Sequence, residues 1–271
     1  IIALTGVMDD IYCLSAKVKF IWQIVAALVA VIGGIQIEFI TIPNGEVVHF
    51  GIWSIPFTVF WIVAVTNAIN LIDGLDGLAA GVSSIALFTI SFLALSLGNS
   101  IAFLIGILLL GSTLGFLVYN FYPAKIFMGD TGSLFLGYMI GALSVEGLTK
   151  SATIFSLIIP IIILGVPILD TTFAIIRRIV HGQPLTAPDK YHLHHCLLRL
   201  GFTHRQSVIL IYMLSGFFSL AAIIFSRSTV WGASILIVAL LVLSELIVEV
   251  TGLISTKYRP ILNLLEGKRP F

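Results

Sequence analysis

Eight long apolar runs constrain what this chain can fold into. Each is long enough, or nearly so, to cross the hydrocarbon core of a bilayer as one α-helix, which takes about 20 residues. The runs lie at 20–36, 52–68, 80–97, 101–118, 132–148, 154–176, 207–226 and 231–254. Charged residues make up 10% of the chain, whereas soluble domains contain about 25%. The sequence therefore predicts an all-α polytopic membrane protein with about eight transmembrane helices, in a single membrane-embedded domain over residues 1–271.

The distribution of basic residues predicts which helix ends face the cytoplasm. Eight crossings would leave one set of connections on the same side of the membrane, namely 1–19, 69–79, 119–131, 177–206 and 255–271. Of the 14 Lys and Arg residues, only Lys150 and Arg227 lie outside this set. Because basic residues are retained on the cytoplasmic side, these connections are predicted to be cytoplasmic. The outer side is predicted to carry a short β-hairpin over 37–51, with its turn at Asn44–Gly45.

Four polar clusters lie in the predicted cytoplasmic connections. The most informative is 67–81, in which two amides and two carboxylates recur every three residues and so share one face of a helix or near-helical turn. The polar residues of the four clusters are Asp9 and Asp10, then Asn67, Asn70, Asp73 and Asp76, then Asn120, Lys125 and Asp130, and finally His192, His194 and His195. Ionisable residues at a membrane boundary are costly and usually functional. A polar turn that only satisfies helix ends is the alternative for 67–81.

The five acids of these clusters indicate a metal and a phosphate. They are Asp9, Asp10, Asp73, Asp76 and Asp130. Crowded carboxylates repel one another unless a cation lies among them, and hard oxygen ligands without thiolates suit Mg²⁺, or Mn²⁺, better than zinc. Mg²⁺ commonly leaves coordination positions to substrate phosphates and water. Together with the basic side chains nearby, the acids predict a phosphate-containing substrate that is handled at the lipid surface.

The histidine-rich segment is predicted to be a short helix with Asp189 as its N-cap. In such a helix His192, His195 and Arg199 lie on one side. His194 then points elsewhere. Three histidines within four residues favour contact with a phosphate or a sugar. A zinc site is the alternative, although neither a cysteine pattern nor an HExxH motif supports it.

Three further acids lie inside apolar runs. Asp170 precedes Arg177 and Arg178, so both a structural Asp–Arg pair and a role in the site stay open. Glu245 and Glu249 are four residues apart in the last run, a spacing that fits packing between helices or an annular polar contact. Neither glutamate is expected in the site.

At these motifs the sequence resembles the polyprenyl-phosphate N-acetylhexosamine-1-phosphate transferases. Four motifs occur in the family's order: Asp9-Asp10, Asn-x-x-Asn-x-x-Asp-Gly-x-Asp-Gly from residue 67, Pro-Ala-Lys-x-Phe-Met-Gly-Asp-Thr-Gly-Ser from residue 123, and the histidine-rich loop. The resemblance covers nearly the whole chain. It implies a bundle of ten or eleven membrane helices in the full protein. Since family members usually have two or three spans before the Asp-Asp pair, the N-terminal spans are expected to be missing here.

The resemblance implies a reaction at the cytoplasmic face of the bacterial plasma membrane. A nucleotide-activated amino sugar gives its sugar 1-phosphate to undecaprenyl phosphate, and UMP is released. By position, Asp130 matches the family's magnesium ligand, with Asp73 and Asp76 around the metal. Asp9 and Asp10 match the pair that positions or deprotonates the lipid phosphate. The positions that match substrate contacts are Asn70, Asn120, Lys125, His192, His194 and His195.

The histidine loop also bears on the identity of the sugar. The branch that acts on muramoyl-pentapeptide usually has three contiguous histidines, whereas this loop reads His-Leu-His-His from residue 192. The resemblance therefore implies UDP-GlcNAc as the donor, at the start of teichoic acid, O-antigen or similar glycan synthesis. Phospho-MurNAc-pentapeptide transfer is the alternative within the family, and a membrane transporter is the alternative of another class. No nucleic-acid partner is expected, and a homodimer is left open.

Overall fold

The protein is described here from a computed structural model, which covers residues 1–41, 46–149, 154–180, 182–184, 191–254 and 259–265. Within these residues the helices are α1 (Ile2–Tyr12), α2 (Ala16–Ile32), α3 (Ser54–Ile72), α4 (Leu78–Ser96), α5 (Ser100–Asn120), α6 (Gly129–Ser144), α7 (Ile154–Ile163), α8 (Gly165–Val180), α9 (Leu193–Arg199), α10 (His204–Ser226), α11 (Val230–Thr251) and α12 (Pro260–Leu265). A 3₁₀ turn at Gly51–Trp53 leads into α3, and a π-helical turn at Val145–Thr149 extends α6. The predicted helical membrane class is confirmed.

Six helical stretches in the described part of the chain are long and apolar enough to cross a membrane. They are Gly51–Ile72, Leu78–Ser96, Ser100–Asn120, Gly129–Leu148, His204–Ser226 and Val230–Thr251. Six of the eight predicted spans thus meet these criteria, and the other two differ from the prediction in length or continuity. α2 has 17 residues, or roughly 25 Å at the rise of an α-helix, which lies at the short end of the range for a membrane-spanning helix.

The second difference concerns the predicted span 154–176. It is divided at Leu164 into α7 and α8. Pro167 lies three residues beyond the division, and proline has no N–H to donate to the carbonyl four residues earlier. The helical hydrogen-bond ladder is therefore incomplete at this point, although Ile168 N still donates to Leu164 O at 2.9 Å.

Two glycines allow α1 and α3 to pack closely on α6. A Cβ atom at Gly6 of α1 would lie 2.4 Å from the Cα of Thr131, and one at Gly137 of α6 would lie 2.7 Å from the Cα of Thr66. Only a residue without a side chain permits these backbone approaches. As a result, the C-terminal ends of α1 and α3 both reach the N-terminus of α6, where the acidic motifs meet.

The helices differ in how much of their surface is covered. α4 is largely buried, with Ala79, Ala80 and Leu87 inaccessible, and it packs against α5, α6, α7 and α10. By contrast, α5 and α11 expose large apolar side chains such as Leu108 and Ile235. Apolar surface of this extent fits contact with lipid tails, because hydrocarbon does not penalise it.

The segment predicted as a β-hairpin contains two paired strands. β1 (Phe39–Thr41) and β2 (Val47–His49) pair antiparallel, with Phe39 opposite His49. The predicted turn at Asn44–Gly45 lies outside the described residues. The pairing agrees with the alternating pattern of the sequence.

Glu249 joins the last two described helices. Its carboxylate is fully buried and accepts hydrogen bonds from Ile261 N at 2.7 Å and Leu262 N at 2.8 Å, in the first turn of α12. The predicted helix-packing role is thus realised as a cap. The neighbouring Glu245 has one buried carboxylate oxygen without a hydrogen-bond partner in the described structure.

Candidate active site

Asp10 caps the N-terminus of α6. One carboxylate oxygen accepts from Asp130 N at 2.8 Å, and the other accepts from Thr131 N at 3.1 Å and from the Thr131 hydroxyl. The free N–H groups and the dipole at a helix N-terminus favour negative charge. Although burial works to raise the pKa of Asp10, the Thr131 hydroxyl and these two amides bring it below its ordinary value. Asp10 is therefore held ionised against the start of α6.

Lys19 lies between two carboxylates from distant parts of the chain. Its Nζ is 2.9 Å from Asp9 Oδ2 and 2.9 Å from Asp130 Oδ2. The carboxylates of Asp9 and Asp130 are close enough to interact with each other. Burial, followed by this contact with Asp130, raises the pKa of Asp9. The ammonium group is the cation that permits two acids to lie together here.

Lys19 has a part in the site that the sequence did not reveal, although it lies in the predicted cytoplasmic connection 1–19. The available signal was its position in the first turn of α2, shortly after the Asp-Asp pair. Sequence spacing could not show that its side chain turns back to α1 and α6.

Asn70 reaches the same group of residues from the last turn of α3. Its side-chain amide donates to Asp130 Oδ1 at 3.1 Å and to the Ser133 hydroxyl at 2.9 Å. The structure thus brings Asn70 and Asp130 together. Asn67, one turn earlier, instead exchanges hydrogen bonds with Gln23 of α2.

Asp73 ends α3 and faces the charge of Asp130. Burial, followed by the negative charge of Asp130, raises the pKa of Asp73 to about 6. No donor in the described part of the chain reaches its carboxylate with a hydrogen bond. Asp76 has a different environment, because its Oδ2 accepts from Ala124 N at 3.0 Å and so ties this loop to the connection between α5 and α6.

The predicted metal ligands Asp73, Asp76 and Asp130 do not form a preorganised metal site. No group of three or more His, Cys, Asp or Glu side chains within the described ranges has the geometry to hold a metal ion. Asp73 and Asp130 nevertheless fit a magnesium site chemically, because both offer carboxylate oxygens and no donor within the described ranges binds those of Asp73. Mg²⁺ is usually held by only one or two carboxylates, with water and substrate phosphates completing its shell.

Asn120 is an internal link between two loops. It is 4% exposed, its Oδ1 accepts from Gly77 N at 3.0 Å, and its amide donates to Ile126 O at 2.9 Å. Both of its polar groups are therefore occupied inside the protein, and a substrate contact stays only a prediction. Lys125, by contrast, is exposed beside this loop.

Tyr212 of α10 also holds the acidic loop, which is the segment 73–77 between α3 and α4. Sequence reasoning did not identify this tyrosine. Its hydroxyl donates to Gly77 O, so Asn120 and Tyr212 hold the peptide groups on both sides of this residue. Gly77 has φ +78°, a conformation that glycine adopts at little cost. The sequence did contain one signal of this role, a tyrosine within an apolar span. A buried tyrosine hydroxyl needs a hydrogen-bond partner.

The histidine-rich helix differs from its prediction. α9 begins at Leu193 with His192 as its N-cap residue, which corrects the expected cap at Asp189; Asp189 itself lies outside the described residues. His194 was expected to point away from the other two histidines. Instead the rings of His192 and His194 are parallel at 5.9 Å, and those of His194 and His195 are 4.2 Å apart.

His194 is the histidine that reaches the acidic loop. A Cβ atom at Gly74 would lie 2.4 Å from His194 Nε2, so the ring rests on the backbone next to Asp73. Burial, followed by the proximity of His195, lowers the pKa of His194 to about 4. The imidazole is therefore neutral at neutral pH.

Asp170 of α8 supports the histidine segment. Its Oδ2 is 2.8 Å from His192 Nδ1, and its Oδ1 accepts from Leu193 N at 2.7 Å. The sequence left open a structural pair with an arginine and a role in the site. In the structure the partner of Asp170 is His192, in the histidine segment. Arg177 donates to Leu253 O, and the Arg199 guanidinium lies 4.3 Å from the centre of the Tyr191 ring.

The chain is similar in sequence to known proteins over nearly its whole length. The family model described as "Glycosyl transferase family 4" matches residues 1–148. A probable undecaprenyl-phosphate N-acetylglucosaminyl 1-phosphate transferase of Bacillus subtilis is 54% identical over 261 residues, which is 96% of this chain and 73% of that protein. A decaprenyl-phosphate N-acetylglucosaminephosphotransferase of Mycolicibacterium smegmatis is 40% identical over 80% of this chain and 59% of its own length.

A more distant relative acts in the other branch. The phospho-N-acetylmuramoyl-pentapeptide-transferase of Halalkalibacterium halodurans is 34% identical over 78% of this chain and 64% of its own length. The chain thus spans somewhat less than two thirds of two of these three relatives. The family model covers more than half of the chain, and the Bacillus relative matches nearly all of it. This chain is therefore a member of glycosyl transferase family 4.

Proposed function

We propose that the protein transfers N-acetylglucosamine 1-phosphate from UDP-GlcNAc to undecaprenyl phosphate and releases UMP. The observation that carries the proposal is the meeting of Asp9, Asp10 and Asp130 with Lys19 at helix ends of a membrane protein in this family. Relatives with 54% and 40% identity bear names that describe this type of transfer. The reaction would take place at the cytoplasmic face of the bacterial plasma membrane.

The chemistry is a phosphoryl transfer between two phosphates. An oxygen of the lipid phosphate attacks the phosphorus that bears the sugar, and the bond from that phosphorus to the oxygen shared with the uridine phosphate breaks. UMP leaves with that oxygen and its electron pair. A phosphate monoester loses its second proton near pH ~6, so the acceptor is largely a dianion at neutral pH. Positioning of the substrates and neutralisation of their charge are therefore expected to supply most of the increase in the transfer rate.

The described residues support such a role. Lys19 would offer positive charge to an incoming phosphate, while Asn70 holds Asp130 in place from α3. Bound Mg²⁺, or Mn²⁺, would neutralise the diphosphate, with Asp73 and Asp130 as its protein ligands and Asp76 beside them. Lys125 and the three histidines would contact the donor from the neighbouring connections.

Two observations favour N-acetylglucosamine over muramoyl-pentapeptide as the donor sugar. The first is the interrupted histidine run from residue 192. The second is the higher identity to proteins named for N-acetylglucosamine transfer, 54% and 40%, than to the pentapeptide transferase, 34%. The product would begin a teichoic acid, O-antigen or similar surface glycan.

The deciding experiment is an assay of UMP release by the purified full-length protein in detergent. Undecaprenyl phosphate and Mg²⁺ are supplied with either UDP-GlcNAc or UDP-MurNAc-pentapeptide. We expect turnover with UDP-GlcNAc and its loss when EDTA is added. Turnover with the pentapeptide donor alone would overturn the assigned sugar but keep the reaction class. A folded sample inactive with both donors would overturn the proposed function.

A further inference from the structure

Asp170 is a buried carboxylate that the proposed reaction does not use directly. It lies in α8, is 2% exposed and is 22 residues from its partner His192 in the chain. A carboxylate in an apolar environment is costly unless hydrogen bonds compensate for the lost water. Both oxygens of Asp170 are compensated by the same short segment, which indicates a specific role toward that segment.

The two oxygens perform separate tasks at the start of α9. Oδ1 accepts from Leu193 N at 2.7 Å, which satisfies one of the free N–H groups at the helix N-terminus. Oδ2 is 2.8 Å from His192 Nδ1, so an imidazole that carries its proton on Nδ1 donates to it. A carboxylate in this position selects the tautomer and the orientation of a histidine ring.

The His192 ring is connected to the acidic loop through direct packing on His194. Its ring lies parallel to that of His194 at 5.9 Å, with an interplanar angle of 2°. His194 in turn rests on Gly74, where even a Cβ atom would come within 2.4 Å of Nε2. Gly74 follows Asp73 directly in the chain. A continuous set of contacts therefore runs from Asp170 to the loop that carries two of the acids.

We infer that Asp170 is a positioning residue of the transferase, which holds α9 so that its histidines lie against the acidic loop. This inference rests on the proposed function for its effect on catalysis. The structural part of the inference is that Asp170 keeps the histidines buried. This part does not depend on the proposed function. The two parts have separate measurements.

The first measurement is the activity of the full-length Asp170→Asn protein. Asparagine has nearly the same shape, but it cannot accept hydrogen bonds with both of its terminal groups. Either Leu193 N or the His192 ring therefore loses its acceptor. We expect kcat/KM for UDP-GlcNAc to fall about 10- to 100-fold, the usual effect of losing a group that orients a site residue, while KM for undecaprenyl phosphate stays unchanged. In a double-mutant cycle, the losses caused by Asp170→Asn and His192→Asn should be less than additive, because the two residues act together.

The second measurement needs no turnover. Diethyl pyrocarbonate modifies accessible imidazoles, and His192 and His194 are 6% and 2% exposed. We expect slow modification of both in the wild-type protein and at least about tenfold faster modification in Asp170→Asn, because an uncapped α9 should detach from the loop. Modified histidines are identified by mass spectrometry of peptides.

Glu249→Gln is the matched control. Glu249 is also a buried carboxylate in an apolar helix, and it also accepts from the first turn of a short helix. Its partners belong to α12 and not to the histidine segment. This variant should therefore leave both the kinetics and the histidine modification unchanged. Equal behaviour of the two variants in both measurements would overturn the inference.

The outcomes separate this inference from the proposed function. If the wild-type protein is inactive with UDP-GlcNAc, the proposed function fails, and the modification rates still decide whether Asp170 holds the histidines. If the wild-type protein is active while Asp170→Asn retains full activity and slow modification, the inference fails alone.

Discussion

At the scale of single residues, the acidic site depends on pairings between distant side chains. The carboxylate of Asp130 contacts Lys19 through one oxygen and Asn70 through the other. The same negative charge helps to raise the pKa of Asp73. Asp130 is therefore the residue whose loss disturbs the largest part of the site.

We predict that Asp130→Asn lowers the rate of UMP release by at least about 100-fold, the scale of losing one electrostatic contact to a reacting group. The amide keeps the shape of the side chain but removes its charge. The rate is measured at saturating UDP-GlcNAc and undecaprenyl phosphate. Glu38→Gln, at an exposed acid before β1, should behave like the wild-type protein. A variant at Asp130 with activity within about tenfold of wild type would contradict the assignment.

The buried imidazole of His194 should make stability depend on pH. Its pKa falls from 6.5 to about 4 on folding, mainly because of burial. Below about pH 6.5 the unfolded chain binds a proton that the folded protein takes up only near pH 4. Stability is therefore expected to fall as the pH falls through this interval.

The measurement is the thermal unfolding midpoint of the purified protein in detergent between pH 7 and pH 5. The midpoint should fall with acidification, and it should fall less in His194→Gln, because glutamine does not titrate. Other groups contribute equally to both proteins, so the difference isolates His194. Identical pH dependence in the two proteins would show that the imidazole is not held neutral.

At the scale of helices, the site exists because α1 and α3 converge on the N-terminus of α6. Gly6 permits the first of these contacts, since any Cβ there would meet the backbone of Thr131. Once α1 is in place, Asp10 caps α6 and Asp9 reaches Lys19. The geometry of three carboxylates thus depends on one small residue at a helix crossing.

We predict that Gly6→Val lowers activity by about 10- to 100-fold, because displacing α1 by an ångström misplaces the Asp-Asp pair. It should also lower the thermal unfolding midpoint. Gly111→Val in α5 is the matched control: it places the same side chain in a helix, at a site with no atom near its Cβ. Equal activities of the two variants would argue against tight packing of α1 on α6.

At the scale of the whole molecule, the charge distribution predicts the orientation in the membrane. The first turn of α2 carries the exposed Lys17, and the turn between α10 and α11 carries the exposed Arg227. The positive-inside rule places the first in the cytoplasm and the second outside. Single cysteines at these positions can test the prediction.

In a Cys13→Ser background, a membrane-impermeant maleimide should label Arg227→Cys in intact cells. It should label Lys17→Cys only after the membrane is permeabilised. Cys13 has to be removed because it is exposed, whereas Cys196 is buried. Labelling of both sites, or the reverse order, in intact cells would contradict the predicted orientation.

The sequence by itself determined the features that arise from near neighbours and from composition. Apolar runs predict membrane helices because a bilayer accepts few other structures. The pattern Thr203-His-Arg-Gln206 is a capping box, and both of its hydrogen bonds form at the start of α10. The acidic motifs were also readable, since clustered ionisable residues at a membrane boundary have few structural uses.

Only the tertiary structure decided which polar groups meet. Lys19 joins Asp130 across 111 residues, and Asp170 joins His192 across 22. Both pairings depend on how separate helices pack, which periodicity within one helix does not specify. The start of α9 at Leu193 has the same origin, because the acceptor for its first N–H group is supplied by Asp170 of α8 and not by the preceding residues. Local patterns thus identify the groups that carry the chemistry, and packing between helices sets their partners.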